Sequence, residues 1–170
     1  MNDKTSTPIQ RKKILITLTG GGHLWEAVTL IKSLGASFEY SYVTGDDCMI
    51  PANLKYETIY RIPTFATIGE QGIIKKCLNL VSSIKKSADV LQKSKPDILI
   101  CVGTSLAVPL SLCAKIFGKK VVFVESITRV TKPTLTGRIL STFRLVDRFY
   151  VQWPEAVTCY RGAIYKGTVL

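Results

Sequence analysis

The chain has 170 residues, enough for one domain with a sizeable core, and 46% of them are hydrophobic. It carries 23 basic and 12 acidic residues, and this net charge of +11 indicates an anionic partner: a phosphorylated substrate, a membrane surface or a nucleic acid. The sequence lacks the roughly 18 consecutive apolar residues of a membrane-spanning helix, and its five cysteines lack the spacing of a zinc site or a disulfide framework.

Residues 1–13 are polar and basic, without the apolar segment of a signal peptide, and we expect them to form a flexible basic tail. The folded domain is then predicted to span residues 14–170. Most of the cysteines lie inside apolar patterns, which favours buried free thiols in a reducing compartment. We predict no metal site and no cofactor.

The first element of this domain is an apolar run from Ile14 that ends in three glycines and the only histidine. The run predicts a buried strand, and a helical pattern begins at Leu24. A glycine turn between them leaves backbone N–H groups bare at a helix N-terminus, where an anion is favoured. The turn fits neither the dinucleotide fingerprint nor the P-loop, and a plain connection without a ligand is the alternative. We predict that one side of a phosphate- or diphosphate-binding site is formed by Gly20, Gly21, Gly22 and His23.

Strand and helix patterns alternate along the rest of the chain. Further strands are predicted at 38–44, 56–61, 97–102, 120–124 and 147–152, and helices at 70–94, about 103–117 and about 135–145. This order predicts the α/β class, with a single Rossmann-like, doubly wound parallel sheet. Asp46 and Asp47 after the second strand are interpreted as turn formers. Residues 63–71 are predicted to be a binding loop, and residues 155–170 show no clear period.

Two more polar segments directly follow predicted strands. In open α/β sheets ligands bind outside the carboxyl ends of the strands, so these segments belong to the same crevice as the glycine turn. The segment 103–105 offers amides and hydroxyls at a second helix start, suited to a diphosphate; a plain helix cap is the alternative. The residues concerned are Gly103, Thr104 and Ser105, and then Glu125 and Ser126.

Four charged or titratable residues have alternative roles. His23 is a possible general base, a phosphate contact or a residue that orients the loop. Glu26, one helical turn further on, is placed to anchor it or to cap amides. Glu125 ends an apolar strand, where an unpaired carboxylate is costly, so it either pairs with Arg129 or another cation, or faces the ligand. Arg129 either clamps an anionic group or belongs to a solvated loop.

Several motifs together resemble a known family. They are Gly21-Gly22-His23-x-x-Glu26, Gly103-Thr104-Ser105 and, most specifically, Val124-Glu125-Ser126-x-x-Arg129-Val130 with Leu135-Thr136-Gly137 and Val151-Gln152-Trp153-Pro154. With these motifs, the sequence from Ile14 to Leu170 resembles the Alg-fourteen family, whose bacterial members are the PssD-type proteins of capsule and exopolysaccharide assembly.

The resemblance implies the N-terminal half of a GT-B glycosyltransferase, acting as the acceptor-binding subunit of a split enzyme. A separate PssE-like subunit would bind the UDP-sugar, and the pair would transfer a hexosyl group to a lipid-diphosphate-linked saccharide. The chain would lie peripherally on the anionic inner face of the cell membrane, with little activity alone. His23 and Glu26 would be catalytic, the other candidates would bind the acceptor, and residues 168–170 would help to dock the partner.

Two alternatives differ in class. The first is a stand-alone nucleotide- or nucleotide-sugar-binding Rossmann enzyme. The second is a nucleic-acid binder, which the positive charge alone would allow. We predict no nucleic-acid partner, because the lysines are scattered over helix faces and no run of aromatic and basic residues is present.

Overall fold

A computed structural model describes residues 11–45, 48, 50–52, 54–63 and 73–169, without the side chains of residues 73–78. Residues 1–10 of the predicted tail, Asp46, Asp47 and nearly all of the predicted loop at 63–71 lie outside the described residues. Strand β1 begins at Lys13, one residue before the predicted domain boundary.

The architecture is one seven-stranded sheet, parallel throughout, with the strand order β3-β2-β1-β4-β5-β6-β7. The strands are β1 Lys13–Leu18, β2 Glu39–Thr44, β3 Ile59–Arg61, β4 Ile98–Val102, β5 Lys120–Val124, β6 Arg148–Val151 and β7 Ala163–Tyr165. The helices are α1 Gly22–Leu34, α2 Ile73–Ser94, α3 Ala107–Ile116 and α4 Leu135–Thr142, with a short 3₁₀ helix at Glu155–Cys159. The predicted fold class is confirmed.

The two faces of the sheet are covered unequally. Alternate residues of the strands point to opposite faces, so β1 sends Leu15 to one core and Ile16 to the other. Among the described residues, α2, α3 and α4 pack over the first core, whereas α1 alone packs over the second. Free cysteines 101 and 113 are buried in the first core, as the sequence predicts.

Several elements differ from the sequence predictions; strand β3, for example, begins at Ile59 rather than at residue 56. Strand β7 was not predicted, because three edge residues are too short to show a period. Helix α3 starts at Ala107 rather than near Gly103, since a turn held by the Thr104 hydroxyl comes first. Helix α4 ends at Thr142, three residues early, where Arg144 takes a left-handed φ of 51°.

Strand β1 is the third of the seven strands and lies between β2 and the central strand β4. The chain leaves β1 toward one edge and returns through β4 toward the other, so the order of the strands switches at this pair. The turns after β1 and β4 therefore flank the switch point at the carboxyl edge of the sheet, the position where ligands of doubly wound folds bind. No helix within the described residues is both long and apolar enough to cross a membrane.

Candidate functional site

The N-terminus of α1 is open. Its N-cap is Gly21, which has a φ of 73° and offers no side chain to cap the helix. The three glycines are exposed, and a Cβ atom added to any of them would meet nothing within 4 Å. Because the first amides of a helix lack intrahelical partners, this turn presents N–H groups and the positive end of the helix dipole to an incoming anion.

His23 joins this turn to the one after β4. A Cβ atom on Gly103, whose φ is 54°, would lie 2.4 Å from Nδ1 of His23, so the imidazole packs directly on the glycine backbone. The ring is 34% exposed, but its Nδ1 is buried, lies 3.9 Å from Oε1 of Glu26 and has no hydrogen-bond partner among the described residues. The two turns therefore meet at the carboxyl edge of the sheet, where the sequence predicts a shared crevice.

Glu26 is 3% exposed and is held by three donors from distant segments. Its Oε1 accepts from the Ser126 hydroxyl at 3.0 Å and from the Ile127 amide at 3.3 Å. Its Oε2 accepts from Nε2 of Gln152 at 2.8 Å. Burial of a carboxylate is costly unless it is hydrogen-bonded, and this network meets that need while fixing the acid beneath the His23 ring.

Several amides at and after the second turn are bonded within the protein. The Gly103 amide donates to the carbonyl of Val124 at 2.9 Å, and the Leu106 amide donates to the Thr104 hydroxyl at 3.2 Å. The amide of Ala107 donates back to the carbonyl of Thr104. Thr104 therefore shapes the turn rather than acting as the N-cap, which is Leu106. Gly103 contributes its close approach to His23, and the half-buried Ser105 lies in the same turn.

Glu125 has partners that neither interpretation of the sequence anticipated. It is 1% exposed; Oε1 accepts from the Ser126 amide at 3.0 Å, and Oε2 accepts from the Thr134 hydroxyl at 2.7 Å and from the Tyr160 hydroxyl. Within the described residues it forms no ion pair with Arg129 or another cation. Of the two alternatives that the sequence left open, the cation pair is therefore not seen among the described residues, and the carboxylate accepts from an amide and two hydroxyls inside the protein.

The Glu125 cluster closes the start of α4. Thr134 is the N-cap and accepts from the Gly137 amide at 2.9 Å, while its own amide donates to the Tyr160 hydroxyl at 2.8 Å. A Cβ atom on Gly137 would lie 2.5 Å from the Tyr160 ring and 2.6 Å from Oε2 of Glu125. Burial first, and then the hydrogen bond to Glu125, raise the pKa of Tyr160 to about 12.

Arg129 lies on the exposed rim of the site. Its amide donates to the carbonyl of Ser126 at 3.0 Å, which places it in the turn after β5, and its side chain is exposed together with that of Lys132. These cations are available to an anionic ligand or surface. The described residues contain no group of three or more His, Cys, Asp or Glu side chains that could hold a metal.

Two members of the site were missed by the sequence analysis. Gln152 was noted only as part of a motif, yet its buried amide contacts Glu26 directly. Tyr160 lies in a stretch without a clear period and nothing in the sequence singles it out. A buried amide at the end of a predicted strand was the available signal for Gln152.

The fold and the site define a class of protein. The Acinetobacter baumannii MurG crystal structure superposes with a TM-score of 0.66 and 16% identity, covering 91% of this chain and 45% of that one. The chain thus spans about half the length of that protein. A likeness at this identity shows the fold.

The family follows from the sequence comparisons. The family description "Oligosaccharide biosynthesis protein Alg14 like" matches residues 14–169. The human UDP-N-acetylglucosamine transferase subunit ALG14 is 31% identical, covering 96% of this chain and 86% of its own length. The Schizosaccharomyces pombe subunit alg14 is 32% identical, with coverages of 94% and 84%. This chain belongs to the Alg14 family, and the resemblance inferred from its motifs is confirmed.

Proposed function

We propose that this chain is the acceptor-binding subunit of a split glycosyltransferase, which binds a lipid-diphosphate-linked saccharide while a separate donor-binding subunit presents a UDP-sugar. The uncapped N-terminus of α1 beside His23 carries the proposal. Bare amides at a helix start favour a diphosphate. The named relatives are UDP-N-acetylglucosamine transferase subunits, so the sugar we propose is N-acetylglucosamine.

His23 is proposed as the general base. Its Nδ1 faces Glu26, which leaves Nε2 for the acceptor hydroxyl. In the proposed step this hydroxyl loses its proton to Nε2 as its oxygen attacks the anomeric carbon, and the UDP leaves with the bonding electrons. Glu26 holds the ring in place and stabilises the imidazolium that forms. The glycines 20–22 and the turn at Gly103–Ser105 would line the diphosphate, with Arg129 on the rim.

One face of the sheet is covered by fewer helices than the other, and this supports the proposal that a second protein binds there. On the face that carries only α1, the described side chains of Ile98, Val122 and Tyr150 remain half-buried on β4, β5 and β6. A second, PssE-like subunit that covered this face and met residues 166–170 would bring its UDP-sugar to the carboxyl edge of the sheet. The MurG fold, in which this domain makes up 45% of one chain, supports the same arrangement.

The proposed location is the inner face of the cell membrane, where the chain would be bound peripherally. The net charge of +11 and the exposed rim residues Arg129, Val130, Lys132 and Leu135 suit an anionic lipid surface. The PssD-type resemblance of the motifs supports capsular or exopolysaccharide repeat units as the product.

The test is transfer by the reconstituted pair. Full-length chain and donor-binding partner are mixed with UDP-N-acetylglucosamine and a polyprenyl-diphosphate saccharide, and product is measured with each subunit alone and with both. We expect product from the pair only. His23→Ala should lower its rate roughly 10²- to 10⁴-fold, the usual contribution of a general base, while the circular dichroism spectrum of the subunit stays unchanged.

Two results would contradict the proposal. Full activity of the His23→Ala pair would exclude His23 as the base. Tight binding of UDP-sugars to this chain alone, measured by calorimetry, would favour the stand-alone nucleotide-sugar enzyme. Gln92→Leu, an exposed substitution on α2, serves as the matched control and should behave like the wild type.

A further inference from the structure

The side chain of Gln152 connects three parts of the chain beneath the site. Its Nε2 donates to Oε2 of Glu26 at 2.8 Å and to the carbonyl of Glu125 at 2.9 Å. Its Oε1 accepts from the amide of Val169 at 2.8 Å. A primary amide suits this place because its nitrogen can donate twice while its oxygen accepts, and Gln152 is 2% exposed.

The segment 166–169 is therefore held by the same side chain that holds Glu26. Residues 166–168 are exposed, Gly167 has a φ of 106°, and Val169 is half-buried against the core beneath α1. A displacement of this segment would remove the donor from Oε1 of Gln152. The buried amide would then reorient toward a new donor, and its Nε2 would no longer be fixed on Glu26.

The position of Glu26 has a specific consequence for His23. A neutral imidazole carries one proton, and in isolation it prefers to carry it on Nε2. Here Nδ1 is buried, unpartnered and 3.9 Å from the Glu26 carboxylate, so a proton on Nδ1 is favoured by the nearby negative charge. The tautomer with hydrogen on Nδ1 leaves Nε2 as the acceptor.

We propose that Gln152 is a positioning residue that couples the segment 166–169 to Glu26 and thereby selects the tautomer of His23. With the segment bound, the ring keeps its proton on Nδ1 and Nε2 accepts. With the segment displaced, the carboxylate loses its fixed position and the ring reverts toward hydrogen on Nε2. The functional meaning of this coupling rests on the proposed role of His23, but the coupling itself is measurable without any transfer reaction.

The experiment uses the full chain and ¹⁵N-labelled histidine. His23 is the only histidine, so the ring gives one set of ¹⁵N signals, and these distinguish the two tautomers at about pH 9, where a histidine ring is neutral. We expect hydrogen on Nδ1 in the wild type and a shift toward hydrogen on Nε2 in Gln152→Leu. Gln92→Leu is the matched control and should keep the wild-type signals.

Val169→Pro leaves Gln152 in place and removes the amide proton that bonds to its Oε1, although the proline ring also replaces the valine side chain and fixes φ. Val169→Ala keeps that proton and loses part of the side-chain packing, so it controls for the packing change. We expect Val169→Pro to shift the tautomer and Val169→Ala to leave it unchanged. If Gln152→Leu does not fold, the comparison of Val169→Pro with Val169→Ala is sufficient to test the coupling.

Three outcomes would overturn the proposal: a wild-type ring with hydrogen on Nε2, a Gln152→Leu ring like the wild type, or Val169→Pro and Val169→Ala rings that are alike. In the reconstituted pair, Val169→Pro should lower kcat about tenfold, or about 1.4 kcal/mol, and leave KM unchanged. If His23→Ala transfers normally while the tautomer still shifts, the proposed function fails and the coupling stands.

Discussion

Two helix starts at the carboxyl edge of the sheet differ in what they leave unpaired. At α1, the cap is a glycine, no side chain closes the turn, and the glycines are exposed. At α4, Thr134 caps the helix, Glu125 and Tyr160 bond to Thr134, and Gly137 packs against all three. Among the described residues, no side chain caps the first turn, whereas the donors and acceptors of the second turn bond to one another. Acids and hydroxyls in a motif therefore do not by themselves mark a ligand site.

The two buried carboxylates repeat this contrast. Glu26 lies 3.9 Å from a ring that is one-third exposed, so it borders the crevice. Glu125 meets only an amide and two hydroxyls inside the protein. Substitutions near α1 should therefore change transfer, and substitutions near α4 should change stability.

The largest effect is expected at the contact between the two turns. In Gly103→Ala the new methyl group would occupy the place of the His23 ring, only 2.4 Å from Nδ1, and would displace it. Misplacing a catalytic group by about 1 Å costs roughly 100-fold, so transfer by the reconstituted pair should fall by at least about that factor. Steady-state rates of the pair provide the measurement.

Gly118→Ala is the matched control for this substitution. Its φ of 66° imposes a similar backbone strain, but a Cβ atom there meets nothing within 4 Å. Both variants should lose similar stability in urea, and only Gly103→Ala should lose activity. Equal activities would show that the Gly103–His23 contact is unimportant for transfer.

The next effect is on stability at the closed helix start. Gly137→Ala forces a methyl group against Tyr160 and Glu125, and overpacking of this kind costs about 1–3 kcal/mol. The free energy of unfolding should fall by that amount in urea titrations. If Gly137→Ala kept its stability but lost transfer activity, the ligand would be placed at the start of α4 instead.

A smaller effect is expected at the open helix start. Gly22→Ala adds a methyl group where nothing lies within 4 Å, so the fold should tolerate it. The methyl group would obstruct a diphosphate that approaches the amides, and we expect KM for the lipid acceptor to rise about tenfold, or about 1.4 kcal/mol. An unchanged KM would argue against a diphosphate at this turn.

The smallest effect concerns pH. Burial and the bond to Glu125 raise the pKa of Tyr160 from 10.0 to about 12, so its neutral form stabilises the fold. That contribution is complete below pH 10 and is lost between pH 10 and 12, as Tyr160 ionises more readily in the unfolded chain. In Tyr160→Phe the free energy of unfolding should fall less steeply across this window. Burial also raises the pKa of Tyr42 to about 12, so Tyr42 should still contribute to the remaining pH dependence of the free energy of unfolding.

The sequence predicted the open turn well because its signal is local. An apolar run, three glycines and a helical pattern are contiguous, and they placed β1, the turn and α1 correctly. The closed cluster depends on contacts far apart in the chain: Tyr160 bonds to Glu125 from 35 residues away, and Gln152 reaches Glu26 across 126. No local pattern encodes such pairs, so the partners of Glu125 were not anticipated and Gln152 was overlooked.

The pairing of β1 with β4 has a consequence for how the protein is made. The amide of Lys13 bonds to Asp97, 84 positions later, and the ring of His23 rests on Gly103. Contacts of such long range slow folding. The glycine turn leaves the ribosome well before the strand that completes its crevice, so during translation its histidine remains without its second wall until β4 has emerged.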